Sequence, residues 1–324
     1  MAIFIKKNGT LQRVETFQKK NGNLIGSRLF NTSDKITERY LTFSSPDTFT
    51  LTSGTTHKTW DGILEYSTDT INWIEWNGTT ISSSQNGTTK YLYLRGIKNT
   101  TITSIAHYNF EFSGTNISCT GYIENLIDYT ELYIQNISYG DGLSGLFGGV
   151  EVKPNYALIT PPQFYASSVC SYAYGTMFRY CKNLSVLPYL PAKKLTQSCY
   201  QWMFQGCTQL SGEKLNLSHV TDISATWCLI GIGVPVRFGT ALEITGSNTF
   251  GSDYSNPITY EIWFDHSEND TVLFNTNNFI TAGSSKATIT YNIYTDNTNI
   301  KTGALSQANT YTIVNVYHLD GTSW

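Results

Sequence analysis

Residues 174–184 have the sequence YGTMFRYCKNL, and residues 200–210 have the sequence YQWMFQGCTQL. Five residue types recur at the same positions, 26 residues apart. A fixed period of about 20 to 50 residues is typical of a solenoid, in which each unit buries its apolar side against its neighbours. The pattern therefore predicts a stack whose matching positions are Tyr174, Met177, Phe178, Cys181, Leu184, Tyr200, Met203, Phe204, Cys207 and Leu210.

Two neighbouring stretches are candidates for degenerate units of the same stack. Residues 143–149 (LSGLFGG) precede the first full unit, and residues 226–230 (TWCLI) begin 26 residues after Tyr200. About three or four units are close to the minimum for a stable stack, so we expect the flanking β-domains to cap its ends.

The unit resembles the leucine-rich repeats of about 26 residues in BspA-type bacterial surface proteins, which occur in gut bacteria and in the phages that infect them. The resemblance rests on the MF-x-x-C-x-x-L pattern, on the LPYLPA that follows at 187–192, and on residues 64–96, 121–128 and 312–321. It extends over roughly two-thirds of the chain, from about 40 to 230 and again from about 290. The resemblance implies a non-enzymatic role in adhesion or display.

The chain departs from the cellular members of this group in two ways. It has few repeats, and its first residues, MAIFIKKNGTLQRV, lack the pattern of a secretory signal. Both departures favour a phage virion protein, such as a head or tail fibre or appendage, because virion proteins assemble in the host cytoplasm without export. A bacterial cell-surface adhesin is the first alternative, and a carbohydrate-active enzyme is the second. We expect no enzymatic activity and no cofactor.

Composition predicts a mainly β protein. The 324 residues are 14% aromatic and only 14% charged, with a net charge of −3. Aromatic residues and Thr suit strands, whereas Asn and Gly suit the turns between them. The aromatic content argues against disorder, and the absence of a basic excess argues against nucleic-acid binding. No stretch approaches the ~18 apolar residues of a membrane span, so we expect no membrane insertion.

We divide the chain into four parts: an N-terminal β-hairpin segment (1–36), an antiparallel β-sandwich-like domain (37–138), a short leucine-rich-repeat-like solenoid with small helices (139–232) and a C-terminal β-domain (233–324). The Asn-Gly pairs at 8–9 and 21–22 predict hairpin turns in the first part. Short alternating strands between turn residues predict the second part and the fourth.

Charge is distributed unevenly along the chain. Residues 1–40 contain eight Lys or Arg and three Asp or Glu, a net +5, whereas residues 234–324 contain three and eight, a net −5. Solvated loops would explain this, but it also favours different partners for the two ends. On that interpretation the N-terminal segment binds other virion proteins, and the distal regions contact a host-surface glycan or protein. We expect a homotrimer, as in other fibre proteins.

Few residues suggest a chemical site. Glu124 and Asp128 would share one side of a helix, but two carboxylates at an unknown separation do not define a glycosidase. Residues 140–145 (GDGLSG) match a dinucleotide-binding pattern, yet Pro154 and the glycines at 148–149 prevent the long helix that such a site requires. Residues 296–299 (DNTN) suit either a calcium site or a turn, and we favour the turn.

The six cysteines are predicted to be buried thiols. Cys181 and Cys207 share one repeat position, Cys170 and Cys199 lie near the unit starts, and Cys119 and Cys228 lie outside. A chain with a core of this size does not depend on disulfides, and free Cys behaves as a small buried hydrophobe. Disulfides and zinc remain alternatives, although there is no C-x-x-C pair and the histidines are scattered, at 57, 107, 219, 266 and 318.

Overall fold

The computed structural model describes residues 39–239, except 55–57, 104–109, 132–135, 138–141, 211 and 224, together with the backbone of the strands on either side of that range. The protein is mainly β, as its composition predicts. It divides into two compact units, Met1–Arg39 and Tyr40–Trp324.

The first unit contains five short strands: β1 (Ile3–Lys7), β2 (Thr10–Val14), β3 (Phe17–Lys20), β4 (Asn23–Gly26) and β5 (Leu29–Asn31). β1 pairs antiparallel with β2, and β3 with β4, while β5 joins β2 to complete a three-stranded sheet. The two Asn-Gly pairs therefore fall between paired strands, although those four residues themselves lie outside the described residues.

The second unit begins with two sheets. Their strands are β6 (Leu41–Ser45), β7 (Thr50–Ser53), β8 (Ile63–Ser67), β9 (Ile74–Glu75), β10 (Ile81–Ser82), β11 (Lys90–Ile97), β12 (Phe110–Ser113), β13 (Ile117–Thr120) and β15 (Leu158–Thr160). Between β13 and β15 the chain forms the helix α1 (Asn125–Asp128) and the strand β14 (Asn136–Ile137), which belong to neither sheet. The larger sheet has the order β15-β13-β6-β11-β8-β9, and the smaller has the order β10-β7-β12. The rings of Phe43 and Phe112 pack between them, with centroids 5.1 Å apart.

Side chains of the central strands of the larger sheet alternate between its two faces. Leu41 and Phe43 of β6 and Leu92 and Leu94 of β11 are fully buried. The intervening residues, Thr42, Ser44, Tyr91 and Tyr93, retain solvent exposure. Because successive residues of a strand point to opposite faces, one face of this sheet packs on the core and the other presents tyrosines and hydroxyls.

The sheets and the repeats are joined by backbone hydrogen bonds. β13 pairs in parallel with β15, and the N–H of Phe110 donates to the carbonyl of Leu146 at 3.0 Å. These contacts cross residue 138, the predicted boundary between two domains. One hydrophobic core is continuous from Leu41 to Phe238.

Beyond β15, the short strands that precede β22 pair in parallel. They are β16 (Ser168–Val169), β17 (Lys194–Leu195), β18 (Leu215–Leu217), β19 (Asp222–Ile223), β20 (Val236–Phe238) and β21 (Glu243–Ile244). One parallel sheet has the order β14-β16-β17-β19-β21. β16 and β17 begin 26 residues apart, which is the repeat period.

A second ladder leads into the C-terminal region, whose strands are β22 (Ile258–Asp265), β23 (Val272–Asn275), β24 (Ala287–Thr295), β25 (Thr298–Ser306) and β26 (Val314–Tyr317). β18, β20, β22 and β24 pair in parallel, and β25 pairs antiparallel with β24. β23 and β26 form a separate antiparallel pair. The β24–β25 pairing places a connection at 296–297, where we favour a turn; these two residues lie outside the described residues.

Residues 171–180 form consecutive turns where small helices are predicted, whereas a short 3₁₀ helix does occur at Thr208–Leu210. Tyr172, Thr176 and Tyr180 have positive φ angles of 60°, 55° and 55°. A left-handed residue at every fourth position interrupts the repeated helical conformation that i to i−4 hydrogen bonds require. Alternate N–H groups bond instead to the next unit, such as Tyr174 to the carbonyl of Cys199 at 3.1 Å and Phe178 to that of Met203 at 3.0 Å.

The same hydrogen bonds define the register of four units. The N–H of Leu143 donates to the carbonyl of Ala173, and the N–H of Tyr174 donates to the carbonyl of Cys199. Each acceptor comes directly before the equivalent residue of the next unit, which is Tyr174 in the first case and Tyr200 in the second. Tyr200 N–H donates to Cys228. The equivalent of Tyr200 is therefore Leu229, which lies 29 residues further on, and not Thr226, as the 26-residue spacing predicts.

Glycines in one unit accommodate aromatic rings from the unit before it. A Cβ atom on Gly231, at φ +58°, would overlap the ring of Trp202. We expect Gly231→Ala to lower the free energy of unfolding by about 2 kcal/mol more than Gly212→Ala, because overpacking is costly. Gly212 is the matched control, since its φ is +87° and its added Cβ would meet no atom within 4 Å. Urea unfolding measures both variants, and equal losses would contradict the packing of Trp202 on Gly231.

Candidate functional site

The predicted repeat positions meet in columns that run through the stack. The rings of Phe147 and Phe178 are stacked at 5.6 Å, and those of Phe178 and Phe204 at 5.7 Å. Tyr174 and Tyr200 stack beside them at 6.2 Å. All ten predicted positions are buried. They form the interior of the stack and are therefore not accessible to a ligand.

The repeated cysteine links neighbouring units. The thiol of Cys181 donates to the carbonyl of Phe147 at 3.2 Å, and that of Cys207 to the carbonyl of Phe178 at 2.9 Å. All six cysteines are free, and only Cys170 among them is not buried. Burial raises the pKa of both Cys199 and Cys207 to about 12. Thiolates are the nucleophiles and metal ligands, so these buried thiols are chemically inert.

We expect one thiol of the folded chain, Cys170, to react with a thiol reagent, because burial shields the others and disfavours their thiolates. All six should react in denaturant without a reductant. A spectrophotometric thiol titration under both conditions makes the test. Fewer than six reactive thiols in denaturant would reveal a disulfide.

The two candidate catalytic carboxylates do not form a pair. Glu124 precedes α1 and is fully buried, and its Oε1 accepts hydrogen bonds from the N–H groups of Tyr165 and Ala166 and the hydroxyl of Tyr174, at 3.0, 3.0 and 3.2 Å. Asp128 instead accepts from the N–H and the hydroxyl of Thr130, at 2.9 and 2.6 Å. Each carboxylate thus accepts hydrogen bonds from a different segment of the backbone.

Burial gives Glu124 an unusual titration. It raises the pKa of this carboxyl from 4.5 to about 7, against the lowering effect of the hydrogen bonds that the carboxylate accepts. Within the described part of the chain, Oε2 of Glu124 has no hydrogen-bond partner. The side chain therefore resembles a structural buried acid, with no solvent access for a substrate.

A partly exposed strip of aromatic residues crosses the larger sheet, in which Tyr91 is exposed and the other members are half-buried. We call Tyr40, Trp73, Tyr91, Tyr93 and Arg95 the tyrosine face. The rings of Tyr91 and Tyr93 are parallel within 5° at 5.9 Å, and Tyr40 follows at 5.3 Å from Tyr93 and 5.6 Å from Trp73. Tyr91 is 37% exposed. The strip is continuous, since each ring contacts the next.

Arg95 fixes one end of the tyrosine face. Its guanidinium lies 3.9 Å from the ring centroid of Trp73 and 4.2 Å from that of Tyr129, and its Nε donates to Oε2 of Glu65 at 2.6 Å. The indole N–H of Trp73 donates to the carbonyl of Thr70 at 3.1 Å. Cation–π contacts and a charge-assisted hydrogen bond thus hold Trp73 and Arg95 in place.

Small hydroxyl residues continue each tyrosine row across the sheet. Ser44 pairs with Tyr91 on one side and with Ser118 on the other, while Thr42 pairs with Tyr93 and with Thr120. We call these four residues the hydroxyl rows. They form a polar floor beside an aromatic ridge.

A shallow cleft of about 210 Å³ lies between β12 and residues 148–157. An ion pair between Lys153 and Glu111, at 2.7 Å, lines it together with Tyr156, which is 55% exposed. Lys153 is exposed and Glu111 is half-buried, and an ion pair at such a surface contributes little stability. Across the described residues, no group of three His, Cys, Asp or Glu side chains could hold a metal ion.

The tyrosine face is not among the sites predicted from the sequence. The alternation of Tyr and Leu at 91–94 was the available pattern, since it places two tyrosines on the face opposite the core. Tyr40 and Trp73 join them only through strand pairing and loop conformation, which the sequence pattern does not specify.

Comparison with protein-family models, curated proteins and solved structures finds no match to this chain. Among the described residues, no helix is both long and apolar enough to span a membrane.

Proposed function

We propose that the chain is a structural protein of a phage virion, part of a head or tail fibre or appendage, that displays an adhesin-like region towards the host surface. The observation that carries this proposal is the stack of four units joined by backbone hydrogen bonds between Leu143 and Ile232. Stacked repeats build extended surfaces for binding other macromolecules. The buried and separate positions of Glu124 and Asp128 favour this role over that of a glycosidase.

We further propose that the stack is a short leucine-rich-repeat solenoid of the kind that its sequence resembles. The parallel sheet β14-β16-β17-β19-β21 and the columns of Phe and Tyr rings support this assignment. The β-sheets at its N-terminal end support a capping role, because they share its core and shield the first unit from water.

The N-terminal segment is proposed to attach the chain to another virion protein. Two observations support this: residues 1–39 form a compact unit of their own, and the net charge of residues 1–40 is +5, from eight Lys or Arg and three Asp or Glu. We propose an acidic surface as its partner. Fibre proteins commonly assemble as trimers, so light scattering should give about three times the chain mass of 36.3 kDa.

Fractionation of the culture that produces the protein tests the virion assignment. An antibody against the chain should detect it in gradient-purified particles that contain DNA. Detection only in the cell envelope of uninfected bacteria would contradict the proposal and support a bacterial adhesin. Lys6→Glu with Lys7→Glu should lower incorporation into particles about tenfold, because like charges repel at an interface. Lys58→Glu, at an exposed position of the second unit, should not.

A further inference from the structure

We propose that the tyrosine face and the hydroxyl rows together bind an uncharged polysaccharide. This inference rests on the proposed function, because it names the class of host-surface polymer that the displayed region contacts. Tyr91 and Tyr93 form the ridge of the site, and Thr42, Ser44 and their neighbours on β13 form its floor.

The aromatic ridge suits the apolar faces of sugar rings. Four rings, those of Tyr91, Tyr93, Tyr40 and Trp73, follow one another at centroid distances of 5.9, 5.3 and 5.6 Å. Aromatic rings offer large flat apolar surfaces, and tyrosine adds a polar hydroxyl at its edge. Tyr93 and Tyr40 meet edge to face at 77°, and Tyr40 and Trp73 are tilted by 45°, so the strip is stepped and not one flat platform. In contrast to a closed pocket, it can contact several successive sugars of one polymer.

The floor beside the ridge suits a ligand rich in hydroxyl groups. Each Ser or Thr hydroxyl can donate one hydrogen bond and accept others, as sugar hydroxyls do. The centre of a protein–protein interface is usually more apolar than the surrounding surface. In each of the two rows, Ser or Thr lies beside the tyrosine on the neighbouring strands, so this face has no such apolar centre. A polyhydroxylated ligand therefore fits it better than a protein does.

The charges of this face favour an uncharged polymer over an anionic one. Arg95 is neutralised by Glu65 at 2.6 Å, and the adjacent strand places the exposed Glu75 in register with Glu65. Polyanions such as nucleic acids are bound by surfaces with an excess of Lys and Arg. Two carboxylates beside one guanidinium give no such excess, so sulfated, uronic-acid and phosphate polymers are disfavoured.

The site is also organised before a ligand binds. The stacking of Arg95 on Trp73 and the hydrogen bond of the indole N–H to Thr70 fix one end of the ridge. Side chains that are already immobile lose little entropy on binding, which increases affinity.

A glycan array probed with the labelled full chain tests the proposal. The array carries neutral oligosaccharides alongside sulfated, sialylated and uronic-acid ones. We expect binding to neutral glycans, and Tyr91→Ala should weaken it about tenfold, the equivalent of about 1.4 kcal/mol for one lost aromatic contact. Tyr156→Ala, an exposed tyrosine in the cleft beside β12, is the matched control and should bind like the wild type. Equal thermal midpoints of the two variants show that Tyr91→Ala keeps its fold.

Several results would overturn the polysaccharide site. These are binding to no neutral glycan, binding confined to acidic glycans, or equal losses in the two variants. If the chain is found on purified particles but the array is negative, the polysaccharide proposal fails and the virion assignment stands. If the chain binds neutral glycans but occurs only in bacterial envelopes, the virion assignment fails and the site stands.

Discussion

Phe178→Ala is expected to lower the free energy of unfolding by about 4 kcal/mol, because it leaves a cavity in the centre of the stack. Phe178 is fully buried, and its ring stacks on Phe147 in the unit before it and on Phe204 in the unit after it. Phe164 also contacts it edge-on at 6.3 Å. One substitution thus removes contacts with two neighbouring units at once. Urea unfolding of the full chain, followed by tryptophan fluorescence, measures the change.

Val186→Ala is the matched control for this variant. Val186 follows Phe178 within the same unit but is 51% exposed, so its loss should change stability by less than about 0.5 kcal/mol. Phe178→Leu should fall between the two, since leucine fills part of the space. A loss for Phe178→Ala no greater than that for Val186→Ala would show that the phenylalanine column does not hold the units together.

Glu124→Gln is expected to change how stability depends on pH. Burial raises the pKa of Glu124 in the folded chain to about 7, above its ordinary value of 4.5. The folded state therefore binds this proton more tightly than the unfolded state. Its contribution to stability is complete below pH 4.5 and is lost as the pH rises through 7. The loss amounts to about 3 kcal/mol, at 1.36 kcal/mol per pKa unit.

The glutamine variant carries no proton that can be lost, and its side-chain oxygen can still accept from the N–H groups of Tyr165 and Ala166. Its stability relative to the wild type should therefore increase by about 3 kcal/mol between pH 4.5 and pH 8. Urea unfolding at both pH values measures this difference. Glu131→Gln, at an exposed position, controls for the loss of one carboxylate. A relative stability of Glu124→Gln that stays constant across this range would contradict the buried, raised-pKa carboxyl.

The periodic parts of this protein could be predicted from its sequence. The 26-residue recurrence of Phe178 and Phe204 is a consequence of stacking, because equivalent side chains must meet in one column. The alternation at residues 91–94 likewise follows from the two faces of a strand. Both patterns repeat at a fixed spacing, so both can be recognised in the sequence without knowledge of the fold.

Other features depend on contacts between distant segments. The position of Leu229 opposite Tyr200 reflects a longer connection between units, which no local pattern records. The turns at Tyr172 and Thr176 need the hydrogen bonds of the next unit to replace those of a helix. Arg95 lies between two aromatic rings only because β11 brings it beside residues 73 and 129.

Hydrogen exchange of the full chain is the most direct test of the stacked units. The amide groups of Tyr174, Thr176 and Phe178 donate to carbonyls of the following unit at 3.1, 2.7 and 3.0 Å. These amides should exchange as slowly as those of the central strand β11, because both open only when the core unfolds. Exchange of the three amides at the rate of an unstructured peptide, while β11 remains protected, would contradict the stack.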